Sequence, residues 1–94
     1  MSAGILKRIQ RAVRKGNYLF TDHALEEADD DGILAQDIVD VLLTGDLDSE
    51  YRDDPRGTRY VVRGEIETVT LEVVCRFRTD GKLLIIITVY IVNV

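Results

Sequence analysis

The sequence is poor in the residues that mark several protein classes: it has one cysteine, one histidine, one proline and no tryptophan among 94 residues. The lone Cys75 can form no disulfide within the chain, which excludes a disulfide-rich secreted scaffold and a cysteine-cluster metal site. Lys7, Arg8 and Arg11 interrupt the apolar run that a secretory signal peptide needs. These absences predict a single domain over residues 1–94 that works in the cytoplasm without a metal or a cofactor.

Acidic side chains outnumber basic ones and the net charge is −5, but the two signs are segregated along the chain. Residues 1–20 carry five basic and no acidic side chains, whereas residues 21–50 carry eleven acidic and no basic ones. The simplest interpretation is that these two segments attract each other within the fold. The alternatives are a functional acidic surface and, for the basic segment, a helix that lies on a membrane. We favour the first interpretation and expect no membrane partner.

Hydrophobic periodicity in the first half of the chain is punctuated by glycines and predicts three helices. In the first, Ile5, Ile9 and Val13 recur at helical spacing while basic side chains fill the opposite side. For the second, Thr21 or Asp22 offers a side-chain oxygen that can cap the first turn. The predicted helices span residues 4–16, 22–30 and 35–44.

Beyond Gly45 the hydrophobic pattern changes to a period of two, which is typical of strands. Asp80-Gly81 is a dipeptide favoured in tight hairpins, and Pro55 with Gly57 marks another turn. Helices followed by hairpin-linked strands indicate an α+β domain. We therefore expect two or three N-terminal helices packed on a four-stranded, mainly antiparallel sheet. The predicted strands span residues 47–52, 58–64, 68–78 and 82–92.

The last predicted strand is almost wholly apolar, since only Thr88, Tyr90 and Asn93 bring polar groups between Leu83 and the C-terminus. Such a run needs cover on both faces, and at a sheet edge it would be a template for aggregation. The sequence therefore predicts that this strand is central in the sheet or pairs with another chain. The second arrangement would give a homo-oligomer or a complex with a protein partner.

His23 is the first candidate for chemistry, because its unperturbed pKa lies near neutrality and it stands where the second helix begins. It is either a general acid or base, or a residue that fixes the start of the helix against the sheet. Arg59 and Arg63 share one face of a strand and suit a phosphate group. Nearby acidic residues equally fit an ordinary solvated surface there.

Two hydroxyl groups emerge from the apolar last strand, on Thr88 and Tyr90. Strict alternation places both on the same face as Leu84 and Ile86. A tyrosine in such a half-buried position commonly ties its hydroxyl to a neighbouring side chain, so a structural role is the alternative to a functional one.

Several short motifs together resemble the DUF4258 family of small bacterial domains. They are Thr21-Asp22-His23-Ala24, Gly32-Ile33, Gly45, the segment from Tyr51 to Tyr60, and Thr88-Val89-Tyr90. The family is similar to the compact helix-plus-sheet ribonuclease toxins of the RelE-like group. The resemblance therefore implies a metal-independent endoribonuclease that acts on RNA. In that role, His23 would transfer a proton, Arg59 and Arg63 would neutralise phosphate, and Tyr90 or Tyr60 would position the substrate.

The chain departs from the family pattern where arginines would follow the His-Ala pair, because Glu27 and the run Asp29-Asp30-Asp31 stand there. An acidic helix beside the supposed catalyst repels RNA. Two functions therefore stay open, and so does whether the chain is an enzyme. One is a non-catalytic module for protein interaction or homodimerisation, which the acidic segment favours, and the other is the endoribonuclease. The catalytic candidates are His23, Arg59 and Tyr90, and the substrate-binding candidates are Arg63, Tyr60 and Thr88.

Overall fold

The fold is α+β, with three helices and five strands in a computed structural model that describes residues 2–92, the first two of these by their backbone alone. The helices are α1 (Ser2–Arg14), α2 (Asp22–Asp30) and α3 (Ala35–Thr44). The strands are β1 (Tyr18–Phe20), β2 (Asp46–Tyr51), β3 (Arg59–Ile66), β4 (Val69–Phe77) and β5 (Leu84–Ile91). Within this range no helix combines the length and the apolar character needed to cross a membrane.

A single threonine explains where α2 begins and what holds it. The Thr21 hydroxyl oxygen accepts a hydrogen bond from the Ala24 N–H at 3.1 Å and donates to the Ile87 carbonyl at 2.8 Å. Thr21 therefore caps the helix and ties its first turn to β5. The first helix ends at Arg14, earlier than the predicted end at Gly16, because Gly16 takes a left-handed conformation with φ of 75°.

The sheet has five strands in the order β1-β5-β4-β3-β2, one more than the four expected. The additional strand is β1, in which Tyr18–Phe20 pairs in parallel with Leu84–Ile86, while every other pairing in the described sheet is antiparallel. A three-residue strand is too short to show a period of two, and its partner is the last strand of the chain. Only the tertiary pairing reveals it, and it places β5 in the central position that an apolar sequence requires.

A bulge in β5 exchanges the two faces of this strand. Ile87 is the extra residue, because Ile86 and Thr88 pair with consecutive residues of β4. Val89 is consequently fully buried on the same side as Ile86. Thr88 and Tyr90 lie on the opposite side, so the prediction that they share a face with Ile86 is wrong.

All three helices pack on one face of the sheet, and the hydrophobic core lies between them and that face. Burying a large aliphatic side chain contributes about 1.5–3 kcal/mol, so this layer dominates the stability of the domain. We call this side the helix-covered face and the other side, which carries no helix from residues 2–92, the open face. The largest fully buried side chains are Ile9, Ile38, Leu42, Leu71, Leu84 and Ile86.

Candidate functional site

Four of the six candidate residues meet on the open face of the sheet. Strand register places Arg59 and Arg63 on this side of β3, and Thr88 and Tyr90 on this side of β5. Three rows of side chains cross the face, each with one residue from each of four strands. The arginine row is Tyr51, Arg59, Arg76 and Ile85; the valine row is Ser49, Val61, Val74 and Thr88; the glutamate row is Asp46, Arg63, Glu72 and Tyr90.

Glu72 contacts two other side chains of the glutamate row, Arg63 and Tyr90. The Tyr90 hydroxyl donates to Glu72 Oε1 at 2.6 Å, and Arg63 Nε lies 3.7 Å from Glu72 Oε2 and Arg63 Nη1 3.9 Å from Asp48 Oδ1. The hydrogen bond to Glu72 raises the pKa of Tyr90 to about 12, and partial burial and the Glu72 charge act in the same direction. Tyr90 is therefore a neutral phenol at physiological pH and is unsuited to accept a proton.

The arginine row places two cations directly opposite each other, Arg59 and Arg76. Arg59 Nε lies 3.1 Å from Asp54 Oδ2, and its guanidinium carbon lies 5.3 Å from the centroid of the Tyr51 ring. The backbone N–H of Arg56 lowers the pKa of Asp54, so this carboxylate stays charged. Within residues 2–92 the partly buried Arg76 side chain has no hydrogen bond and no ion pair.

The valine row forms a dry centre on the open face. Val61 and Val74 are only 2% and 6% exposed although no described helix covers them, so the longer side chains of the neighbouring rows shield them. Tyr51 and Tyr90 flank this centre and are 49% and 41% exposed. Tyrosine and arginine around an apolar centre are the residue types that carry binding energy at protein interfaces.

The structure separates the other two candidates from the open face. His23 is exposed on the first turn of α2, in the helical layer, whereas its neighbour Ala24 faces the core. Among the described residues the His23 ring makes no hydrogen bond, ion pair or ring contact. Tyr60 is buried in the core on the helix-covered face, where no ligand of the open face can reach it. Cys75 is buried nearby, and burial raises the pKa of its thiol to about 12, which leaves it unreactive.

Sequence reasoning missed Arg76 as a functional candidate. Its proximity to Arg59 depends on the register of the hairpin between β3 and β4, in which Ile66 pairs with Val69. The turn residue Glu67 adopts φ of 56°. This tight turn therefore forms without the Asn-Gly or Asp-Gly pair by which such turns are predicted from sequence. The alternation of side chains along β4 is the only signal in the sequence. It predicts the face of the sheet on which Arg76 lies, but not the residues of other strands beside it.

The comparisons with known proteins agree with the motifs and add no activity. The family model described as "Domain of unknown function (DUF4258)" matches residues 20–91, a range that contains His23 and all three rows of the open face. No curated protein and no solved structure matches the chain. The similarity to RelE-like ribonuclease toxins therefore stays a prediction.

Proposed function

The chain belongs to the DUF4258 family, and from this premise we propose that it is a non-catalytic domain that forms a homodimer through the open face of its sheet. One observation carries the proposal: Arg76 has no anion of its own in the described structure, and Glu72 lies on the same strand one row beyond the valines. An interface that brings Arg76 close to a carboxylate of a second copy would neutralise its charge.

A two-fold axis that runs parallel to the valine row would place such a carboxylate opposite Arg76. Such an axis superposes each strand on the same strand of the second copy while exchanging the arginine row with the glutamate row. Arg76 then faces Glu72 of the second copy, and the two pairs of Val61 and Val74 meet at the centre. The sheets would stack as in an aligned β-sandwich, about 10 Å apart.

The remaining charges of the two rows are compatible with this arrangement. Arg59 would face Arg63 of the second copy, but Asp54 already neutralises the first and Asp48 the second, which leaves Glu72 for Arg76. Neither arginine therefore brings an unbalanced charge into the interface.

The size of the open face predicts a weak dimer. Four strands of six to nine residues and the three-residue β1, about 4.8 Å apart, give a face of roughly 550 Å². Two such faces bury roughly 1,100 Å², just below the range for stable specific interfaces. We therefore expect dissociation in the micromolar range of protein concentration.

A charge swap tests the dimer. Arg76→Glu and Glu72→Arg are each expected to raise the dimer Kd at least about tenfold, because like charges would meet across the axis. The double variant Arg76→Glu/Glu72→Arg is expected to return the Kd to within about threefold of wild type. Sedimentation equilibrium measures the Kd, and circular dichroism checks that each variant is folded.

Arg14→Glu is the control for the charge swap, since Arg14 is exposed on α1 in the helical layer. It is expected to leave the Kd unchanged. A wild-type chain that stays monomeric up to about 0.5 mM would refute the dimer. A double variant as weak as the single ones would show that Arg76 and Glu72 do not meet.

The second candidate function is the metal-independent endoribonuclease, and one observation favours it: Arg59, Arg63, Thr88 and Tyr90 do share the open face. His23 would have to act from the helical layer, and Tyr90 keeps its proton. Both features oppose a general-base mechanism on this face.

Ribonuclease assays decide between the two functions. We expect that the wild-type chain and His23→Ala leave mixed single-stranded RNA equally intact, because the His23 ring lies in the helical layer and Tyr90 keeps its proton. Gel electrophoresis of the RNA provides the measurement. Cleavage by wild type that disappears in both His23→Ala and Arg59→Ala would establish the endoribonuclease and refute a non-catalytic role.

A further inference from the structure

A cationic cleft lies on the helical side of the molecule, where the end of α1 meets the turn between β4 and β5. Among the residues that the structure describes, four cations line it, Arg8, Arg11, Lys15 and Lys82, and no acidic side chain does. Its volume is about 410 Å³. We propose that this cleft binds the phosphate groups of a single-stranded nucleic acid.

The positive charge of the cleft is not neutralised by the described part of the chain. Arg11, Lys15 and Lys82 form no ion pair there. The nearest acid in the turn, Asp80, pairs with Arg78 and accepts from the backbone N–H of Lys82, which lowers its pKa to about 2. An anion that enters the cleft therefore meets three cations without acidic partners.

Two contacts hold the Arg8 side chain of the cleft in place. Its Nη2 donates to the Gly81 carbonyl at 2.9 Å, and its guanidinium carbon lies 4.2 Å from the centroid of the Phe77 ring. A guanidinium held in place over an aromatic ring is an ordered group on which a nucleotide base can stack. Arg8 and Arg11 on α1 and Lys15 just beyond its end lie on one side over about 10 Å, so the cations also extend beyond a single phosphate group. Both features favour a nucleic acid strand over an isolated anion.

The acidic helix α2 leads away from the cleft. Leu84 begins β5 beside the cleft, where its N–H donates to the Asn17 carbonyl at 2.9 Å. The start of α2 is tied to Ile87, about 10 Å further along β5, and the helix ends near Ile91. That separation exceeds the Debye length of about 8 Å at physiological salt. The repulsion expected between an acidic helix and RNA is therefore largely screened at this position.

A membrane surface is a poor occupant of the cleft. The apolar stripe of α1, including Ile9, Ala12 and Val13, is buried in the core and has nothing left to insert among lipids. The basic segment is consequently a packed helix whose exposed side carries charge. The cleft also lies on the opposite side of the sheet from the open face, so it stays accessible in the proposed homodimer.

Fluorescence anisotropy with a labelled oligouridine of about 12 nucleotides tests the proposal over a series of salt concentrations up to about 0.15 M. We expect Arg11→Glu to weaken binding at least about tenfold and to lower the salt dependence by about one phosphate contact. The matched control is Arg14→Glu, which makes the same charge change in the same last turn of α1 but outside the cleft. We expect it to change the Kd by less than about threefold.

Each other outcome overturns the proposal. Equal weakening by Arg11→Glu and Arg14→Glu would show attraction to the whole basic segment rather than to the cleft. No binding of oligouridine at any salt concentration of the series would exclude the nucleic acid. If a polyglutamate peptide displaces the oligouridine at the same concentration of charge, the occupant is an acidic protein. If vesicles with anionic lipid displace it, the occupant is a membrane surface.

Discussion

Val89→Asp is expected to lower the free energy of unfolding by about 4 kcal/mol or more, which leaves little folded protein. Val89 is fully buried under the helices and pairs with Val73 at the centre of the core. An aspartate there would have to bury a charge without a partner or stay protonated, and both destabilise the fold. Urea denaturation followed by circular dichroism measures the change.

Thr88→Asp is the matched control, one residue away on the same strand. Because the bulge at Ile87 turns Thr88 to the open face, we expect its unfolding free energy to change by no more than about 1 kcal/mol. Dilute protein keeps the proposed dimer from contributing to this comparison. If Thr88→Asp were the more destabilising variant, β5 would alternate without the bulge and its faces would be reversed.

Gly45→Ala is expected to destabilise the domain by about 3 kcal/mol. Gly45 follows α3 where the helix end lies against β3, and a Cβ atom there would overlap the Arg63 carbonyl oxygen and lie 2.7 Å from the Val41 carbonyl oxygen. Both neighbours are backbone atoms, so they cannot yield by a side-chain rotation. The midpoint of thermal or urea unfolding measures the effect.

Gly4→Ala controls for the general effect of adding a methyl group to a glycine. A Cβ atom at Gly4 would meet nothing within 4 Å, and the residue lies within α1. Alanine is the better helix former, so we expect a gain in stability of up to about 1 kcal/mol. Equal effects of the two substitutions would show that α3 and β3 are not in close contact at Gly45.

Predictions from the sequence succeeded for local features. Hydrophobic periodicity, glycines and a capping threonine act within a few residues of one another. The sequence therefore predicts the α+β class, the helices α2 and α3, and an apolar last strand in the centre of the sheet. It also places Arg59 and Arg63 on one strand face. The predictions failed for β1 and for the face of Thr88, because pairing with a distant strand and a single bulged residue decide these.

The sequence by itself therefore determined which segments become helices or strands and which side chains could carry charge or a hydroxyl. The tertiary structure alone decided which of these meet: it set Arg76 beside Arg59, joined Tyr90 to Glu72, and gathered Arg8, Arg11, Lys15 and Lys82 in one cleft. The physical reason is that local propensity depends on neighbours in the chain, whereas a site depends on strand register and helix packing, which bring together residues far apart in sequence.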